Sequence, residues 1–193
     1  ADLTEYRKIA DESGTTEFVG YEHLDSESQV RGIIVDGKNA KIASEGDEVE
    51  IVLDRTPFYA EGGGQLADGG ILLLSNGAKV RIDDVQSPVP SLSIHRGRVL
   101  VGSVEINDQV HAKIDIERRR AISRAHSATH MVHKAFREIL GETATQAGSE
   151  NSPGRFRFDF PATGAVSSAV LSEVESRVNT LLLEDWEVTA QIM

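Results

Sequence analysis

His126 and His130 stand four residues apart in a segment, Arg118 to Leu140, whose apolar residues recur at helical spacing. Residues four apart lie one turn apart on one helix face, so two imidazoles can meet a single metal ion. A structural zinc site takes four ligands and a catalytic one usually takes three protein ligands and a water, yet the chain contains no cysteine. Either Asp, Glu or His133 completes the set, or the other donors lie on chain that is not here. The metalloprotease pattern is excluded, because it needs a glutamate directly after the first histidine and Ser127 stands there. At 100° per residue His126, Thr129, His130 and His133 span an arc of about 100° beside the apolar stripe. Within that arc His133 reads as a packing neighbour rather than a ligand. The plain alternative is that the pair merely shares a helix face.

A second group is Arg55-Thr56-Pro57-Phe58-Tyr59-Ala60-Glu61-Gly62-Gly63-Gly64-Gln65, followed by Asp68-Gly69. Consecutive glycines tolerate positive φ and close backbone approach, so this lip could offer N–H groups to a carbonyl or carboxylate. No Gly-Lys-Ser/Thr follows and no helix follows, which excludes a P-loop and a dinucleotide fingerprint. The third group is Gln146-Ala147-Gly148-Ser149 and then Arg155-Phe156-Arg157-Phe158-Asp159-Phe160. Gln146 can donate and accept hydrogen bonds to orient a water or an ester, or it is simply loop polarity. Arg157 and Asp159 sit in a stretch with the two-residue period of a half-buried strand.

These residues need a scaffold of useful size, and 193 positions with 39% hydrophobic residues supply one. No apolar run reaches the ~18–20 residues of a membrane span, and the start lacks the basic and apolar regions of a signal peptide. Absence of cysteine rules out disulfides and fits a cytoplasmic protein. A net charge of −11 argues against broad attraction to nucleic acid, so any polyanion must meet a local basic surface. Arg118, Arg119, Arg120 and Arg124, with Lys134 and Arg137 further along, are the one candidate. They are either a solvated face or an anion contact; three arginines in a first turn oppose the helix dipole.

The pattern predicts a short helix over Leu3 to Ser13, stopped by Gly14. Strands follow over Glu17 to Tyr21, Ser28 to Val35, Glu48 to Leu53, Gly70 to Leu74, Lys79 to Val85, Ser91 to His95 and Gln109 to Ile114, with turns at Asp36-Gly37, Glu45-Gly46-Asp47, Asp68-Gly69-Gly70, Asn76-Gly77 and Asn107-Asp108. Many short strands at this spacing suggest an antiparallel barrel or sandwich. From about Asp115 the period turns helical, with Ile122, Thr129, Val132, Phe136 and Leu140 inward and Gly141 after the end. A second helix over Ser168 to Glu184 points Leu171, Val174, Val178 and Leu181 inward. Trp186 to Met193 begins a further strand, and the chain also lacks an initiator Met. The reading is a piece of a longer protein whose uncovered sheet edge would recruit a second chain.

Taken in order, the three groups resemble the editing region of alanyl-tRNA synthetase, shared with the free-standing AlaX trans-editing proteins. Thr16-Glu17-Phe18-Val19-Gly20-Tyr21 resembles the synthetase's approach to this region. The resemblance implies an α+β fold. Residues 1–15 would be a helical lead-in, 16–112 a translation-factor-like β-barrel bearing the glycine-rich loop, and 113–193 the first half of an α+β editing domain. It implies hydrolysis of tRNA(Ala) mischarged with serine or glycine, inside an enzyme that ligates alanine to tRNA(Ala) with ATP. His126 and His130 match the family's first two zinc ligands, and Thr129 a threonine that tells serine from alanine. Gln146 matches a pocket glutamine, Gly63, Gly64 and Gln65 a loop over the aminoacyl end, and Arg157 and Asp159 substrate-binding positions. The family's Cys-x3-His motif has no match here, so zinc binding by these residues alone is expected to be weak or absent. The Glu-Gly-Gly-Gly-Gln wording is closer to the free-standing form. A piece of an AlaX deacylase and a non-catalytic binding or spacer module are the alternatives.

Overall fold

The computed structural model describes residues 2–140, 148–152, 155–159 and 168–183. In chain order the elements are α1 (Thr4–Ser13), β1 (Glu17–Phe18), β2 (Asp25–Val35), β3 (Lys38–Ala40), β4 (Ile42–Ser44), β5 (Glu48–Leu53), β6 (Arg55–Thr56), β7 (Gly70–Leu74), β8 (Lys79–Gln86), β9 (Ile94–Val101), β10 (Ser103–Glu105), β11 (Gln109–Ile114), α2 (Ile116–Leu140), β12 (Gly148–Ser152), β13 (Arg155–Asp159) and α3 (Ser168–Leu183). They divide into two compact units, residues 1–63 with 67–119, and residues 64–66 with 120–193.

The first unit is a closed six-stranded antiparallel barrel in the order β2-β5-β9-β8-β7-β11, returning to β2. Strand β2 closes it by dividing its length. Residues 25–29 pair with β11, residues 30–35 with β5, and the register shifts between Val30 and Gly32. Alternation sends Val30, Ile33, Ile51, Leu53, Leu72, Val80 and Ile82 into the barrel. Ile34, Val52 and Ile94 point outward into a second cluster with Ile9, Val89 and Leu92. The doubly apolar runs Ile33-Ile34 and Ile51-Val52-Leu53 are therefore buried on both faces, the outer one under α1. Gly32 makes room for that helix, since a Cβ there would come within 2.8 Å of Ile9.

Turn chemistry fixes the hairpins. Asp36 and Gly37 both have positive φ (52° and 76°), as a two-residue type I′ turn requires. Two expectations are corrected. Asp68-Gly69-Gly70 is no turn, because it runs into β7 and a Cβ on Gly70 would lie 2.1 Å from Lys113 O. The strand expected over Ser91 to His95 instead covers Ile94–Val101. Gly97 breaks its apolar pattern because it backs onto Arg81 O, where a Cβ would sit 1.6 Å away.

The second unit contains the α2 segment from Arg120, the β12–β13 hairpin and α3. Asp115 caps α2 by accepting Arg118 N–H at 3.1 Å. Ala135, Val174 and Val178 form the core, with Met131, Val132 and Val170 against it. On α2, Ile122 and Thr129 are buried as expected, together with Ala125 and Ala128. On α3, Leu171 is 49% exposed rather than inward; Val174 and Val178 carry the packing without it. Gly148–Ser152, expected to be loop, is a strand paired with β13. Gln146, Gly141 and the strand expected over 186–193 lie outside the described residues. Among the described residues no helix is long and apolar enough to cross a membrane.

Candidate functional site

The glycine-rich loop is held at its stem by paired contacts. Tyr59 N–H donates to Asp68 Oδ2 (2.8 Å) and Asp68 N–H to Tyr59 O (3.1 Å), so residues 59 and 68 close the loop between them. Asp68 is buried and meets Arg119, whose Nε donates to both carboxylate oxygens (3.1 and 3.2 Å). The same guanidinium donates to Gly20 O and Pro57 O, each at 2.8 Å. Arg118 donates to Ala67 O. Two of the three consecutive arginines are thus taken up inside the fold: Arg119 meets the Asp68 carboxylate and two backbone carbonyls, and Arg118 a third carbonyl, partners that buried polar groups require.

Further along the loop, Glu61 N–H donates to Val85 O (2.9 Å) and the Tyr59 hydroxyl to Gly62 O (3.0 Å). Burial raises the Tyr59 pKa, which keeps that hydroxyl protonated as a donor. Gly63 and Gly64 follow at φ 59° and 78°, so a side chain there would be strained. Gln65 comes next, half-buried.

Beneath the motif lies a buried relay. His95 Nδ1–H donates to Ile51 O (2.8 Å), which leaves Nε2 to accept the Thr56 hydroxyl (2.7 Å), and Thr56 Oγ1 accepts Phe58 N–H (3.1 Å). Burial lowers the His95 pKa to about 4, so the neutral ring with this one tautomer is fixed.

In the second unit His126 and His130 present Nε2 to Nε2 at 3.0 Å, with their rings nearly perpendicular. Two imidazoles bound to one tetrahedral zinc at ~2.0–2.1 Å would hold these nitrogens about 3.3 Å apart. The spacing fits one edge of such a site. Burial, then His130, holds the His126 pKa below the ordinary imidazole value, favouring the neutral form that metals take. Among the described residues no group of three His, Cys, Asp or Glu is placed to hold a metal ion; the residues present fit half of a zinc site. Thr129 is buried, and its hydroxyl donates to Ala125 O (2.9 Å). His133 is half-buried and, with His130, Lys134, Arg137 and Glu138, lines a cavity of about 310 Å³.

Of the expected site residues, the helix brings His126, Thr129 and His130 onto adjoining turns. Arg157 and Asp159 lie on β13, opposite Glu150 and Gly148. Thr56 and Asp68 stand in the glycine-rich group and Arg119 in the basic cluster, but their structural roles at the loop stem were not foreseen; His95 carried no functional signal, and the Asp before Gly69-Gly70 reads as a turn.

The family model for class II (A) tRNA synthetases matches residues 2–118, which include α1 and the whole barrel. An alanine–tRNA ligase of Nocardioides is 59% identical over 193 residues, all of this chain and 22% of that protein. That of Acidothermus cellulolyticus is 59% identical over 194 residues, and that of Thermobifida fusca 49% over 188. The chain spans about a fifth of the length of these relatives (22%, 22% and 21%).

Proposed function

The chain belongs to the class II (A) tRNA synthetases, and from that footing we propose that it is editing-region sequence of an alanine–tRNA ligase, serving to hydrolyse tRNA(Ala) mischarged with serine or glycine. The observation that carries the reading is the pair of converging imidazole nitrogens, 3.0 Å apart on α2. One imidazole N–H donating to the other accounts for this spacing as a single hydrogen bond, and with both rings protonated on Nδ1 the same two nitrogens form the edge that a metal needs. Similarity to alanine–tRNA ligases over the full length of the chain, including α2, supports it.

In this reading His126 and His130 hold zinc together with donors from outside the described residues, and the ion supplies Lewis acidity or an anchor for the aminoacyl group. Both rings must then carry their proton on Nδ1. The stem contacts of Tyr59, Asp68 and Arg119 hold the base of the glycine-rich loop, which in this reading serves the aminoacyl end. Thr129 gives its own proton to Ala125 O, so towards a substrate its oxygen accepts. It takes the serine hydroxyl and has nothing to take from alanine or glycine.

Deacylation by an alanine–tRNA ligase carrying this segment tests the proposal. His126→Ala is expected to lower Ser-tRNA(Ala) hydrolysis at least a hundredfold. Thr129→Val is expected to slow hydrolysis of the seryl ester by ~1–3 kcal/mol, the scale of one unmade buried hydrogen bond, with the glycyl ester unaffected. Full activity in the His126 variant would overturn the assignment.

A further inference from the structure

We propose that Arg120, Arg124, Lys134 and Arg137 form a phosphate-binding strip on α2 that takes the sugar–phosphate backbone of RNA; the proposal rests on the tRNA-directed function above and names the surface that meets it. All four are exposed. No acidic residue occurs between Arg118 and Arg137, in a chain with 31 carboxylates against 20 Lys and Arg. At 100° and 1.5 Å per residue the four fall within an arc of about 140° and a length of about 25 Å. They make one face rather than a ring, long enough to meet phosphates of several nucleotides.

Their gathering on one face distinguishes them, since Lys38, Lys41, Lys79 and Lys113 are likewise exposed without an ion pair among the described residues but lie apart on the barrel. On the barrel, Arg81 pairs with Asp83, Arg98 with Glu48, and Arg96 lies against Glu50 and Asp84. Within the second unit Arg177 pairs with Glu138 and Glu173. Arg120, Arg124, Lys134 and Arg137 make no ion pair and no side-chain hydrogen bond among the described residues. Four uncompensated cations on one helix repel one another, and surfaces ordinarily intersperse the two signs. A line of phosphates supplies the missing counter-charges. At its distal end the strip also borders the 310 Å³ cavity lined by His130 and His133, with Lys134, Arg137 and Glu138 on its wall, the Glu138 carboxylate being paired with Arg177. A phosphodiester held there would bring the end of an RNA strand beside the histidine pair.

The test is anisotropy of a fluorescein-labelled RNA hairpin with a 3′ CCA overhang and no amino acid, titrated with this chain at several salt concentrations. Each phosphate contact contributes roughly 0.7–0.9 to the slope of log K against log salt. Arg120→Gln with Arg124→Gln, and Lys134→Gln with Arg137→Gln, are each expected to flatten the slope by about 1.5 and weaken binding roughly tenfold near physiological salt. The control pair Arg81→Gln with Arg98→Gln is expected to bind as wild type. Arg124→Lys with Arg137→Lys, which keep the charge, are expected to keep the slope; this separates lost contacts from lost folding. Equal slopes in all variants, an equal loss in the control pair, or strip variants that lose binding only to phosphatidylglycerol vesicles would overturn the proposal. Because this assay involves no hydrolysis, the two readings fail separately: altered slopes with no deacylation by the unmutated ligase would overturn the editing function and leave the strip standing.

Discussion

The barrel and the α2 segment beyond it use charge in opposite ways. In the first unit the arginines beside the glycine-rich loop and on the sheet meet partners, while single lysines such as Lys38 and Lys79 stay exposed and scattered: Arg119 meets buried Asp68 and two carbonyls, and Arg81 and Arg98 each meet a carboxylate. In the second, four cations stay exposed and unpaired, and two imidazoles point their nitrogens at each other. Packing differs in the same sense. The barrel interior is filled by Ile, Val, Leu and Phe side chains, whereas the core joining α2 to α3 centres on Ala135, Val174 and Val178. A frame is rigid when its polar groups satisfy one another, and a binding surface must keep some of them for the ligand.

The contrast breaks most sharply at Asp68 and Arg119. Arg119→Ala leaves Asp68, 3% exposed, as a buried carboxylate without its cation. Removing one partner of such a pair costs about 3–5 kcal/mol. Urea unfolding of the first unit is expected to show a loss of that size, against less than about 1 kcal/mol for Arg98→Ala, whose partner is 80% exposed. Equal losses in the two variants would show that the stem contact is a surface pair like the rest.

Legibility in the sequence follows the range of the interactions. The helix pair His126 and His130 could be read from spacing alone, and so could β2, β5, β7 and β11, where β-branched runs end in turn residues. Strands β3, β4 and β10 were not foreseen: Lys38-Asn39-Ala40 has no apolar alternation, and these three-residue strands exist because partners dock on them. Arg96-Gly97-Arg98 carries no apolar alternation and lies beyond the expected strand end at His95, yet it is mid-strand, since only the backbone contact with Arg81 O explains its glycine. Asp68 and Arg119 are 51 residues apart, and no local pattern announces such a pair. His95 is the same case, defined by Ile51 and Thr56 from other strands.

Acid tests the frame at a smaller scale. His95 is neutral when folded, with a pKa near 4 against 6.5 for the free imidazole. Below pH 6.5 the unfolded chain takes up a proton that the folded chain refuses. This contribution is thus complete above 6.5 and is lost as pH falls towards 4, by about 3 kcal/mol at ~1.4 kcal/mol per unit. His111 works the other way. Its hydrogen bond to Glu27, aided by Asp25, raises its pKa, so that contribution is present below 6.5 and lost as pH rises through the folded value. Unfolding free energies between pH 4 and 8 are expected to form a dome, with His95→Gln flattening the acid limb and His111→Gln the alkaline one. Parallel acid limbs in wild type and His95→Gln would remove the buried histidine from the account.

The smallest effect is expected where sequence pattern and packing disagree, on α3. Leu171 holds a helical position in step with Val174 and Val178, yet it is 49% exposed while they are 5% and 7%. Leu171→Gln keeps helix propensity and removes only half-exposed apolar surface, so its cost should stay within about 0.5 kcal/mol. Val178→Ala removes two methyl groups from a core of few members and should cost about 1–3 kcal/mol. Amide exchange within α3 reads both without requiring the two units to unfold together: protection should fall at least fivefold in the valine variant and by less than about twofold in the leucine one. A leucine variant as damaging as the valine one would place Leu171 against a partner beyond the described residues and make the second unit's core as extensive as the helical spacing alone suggests.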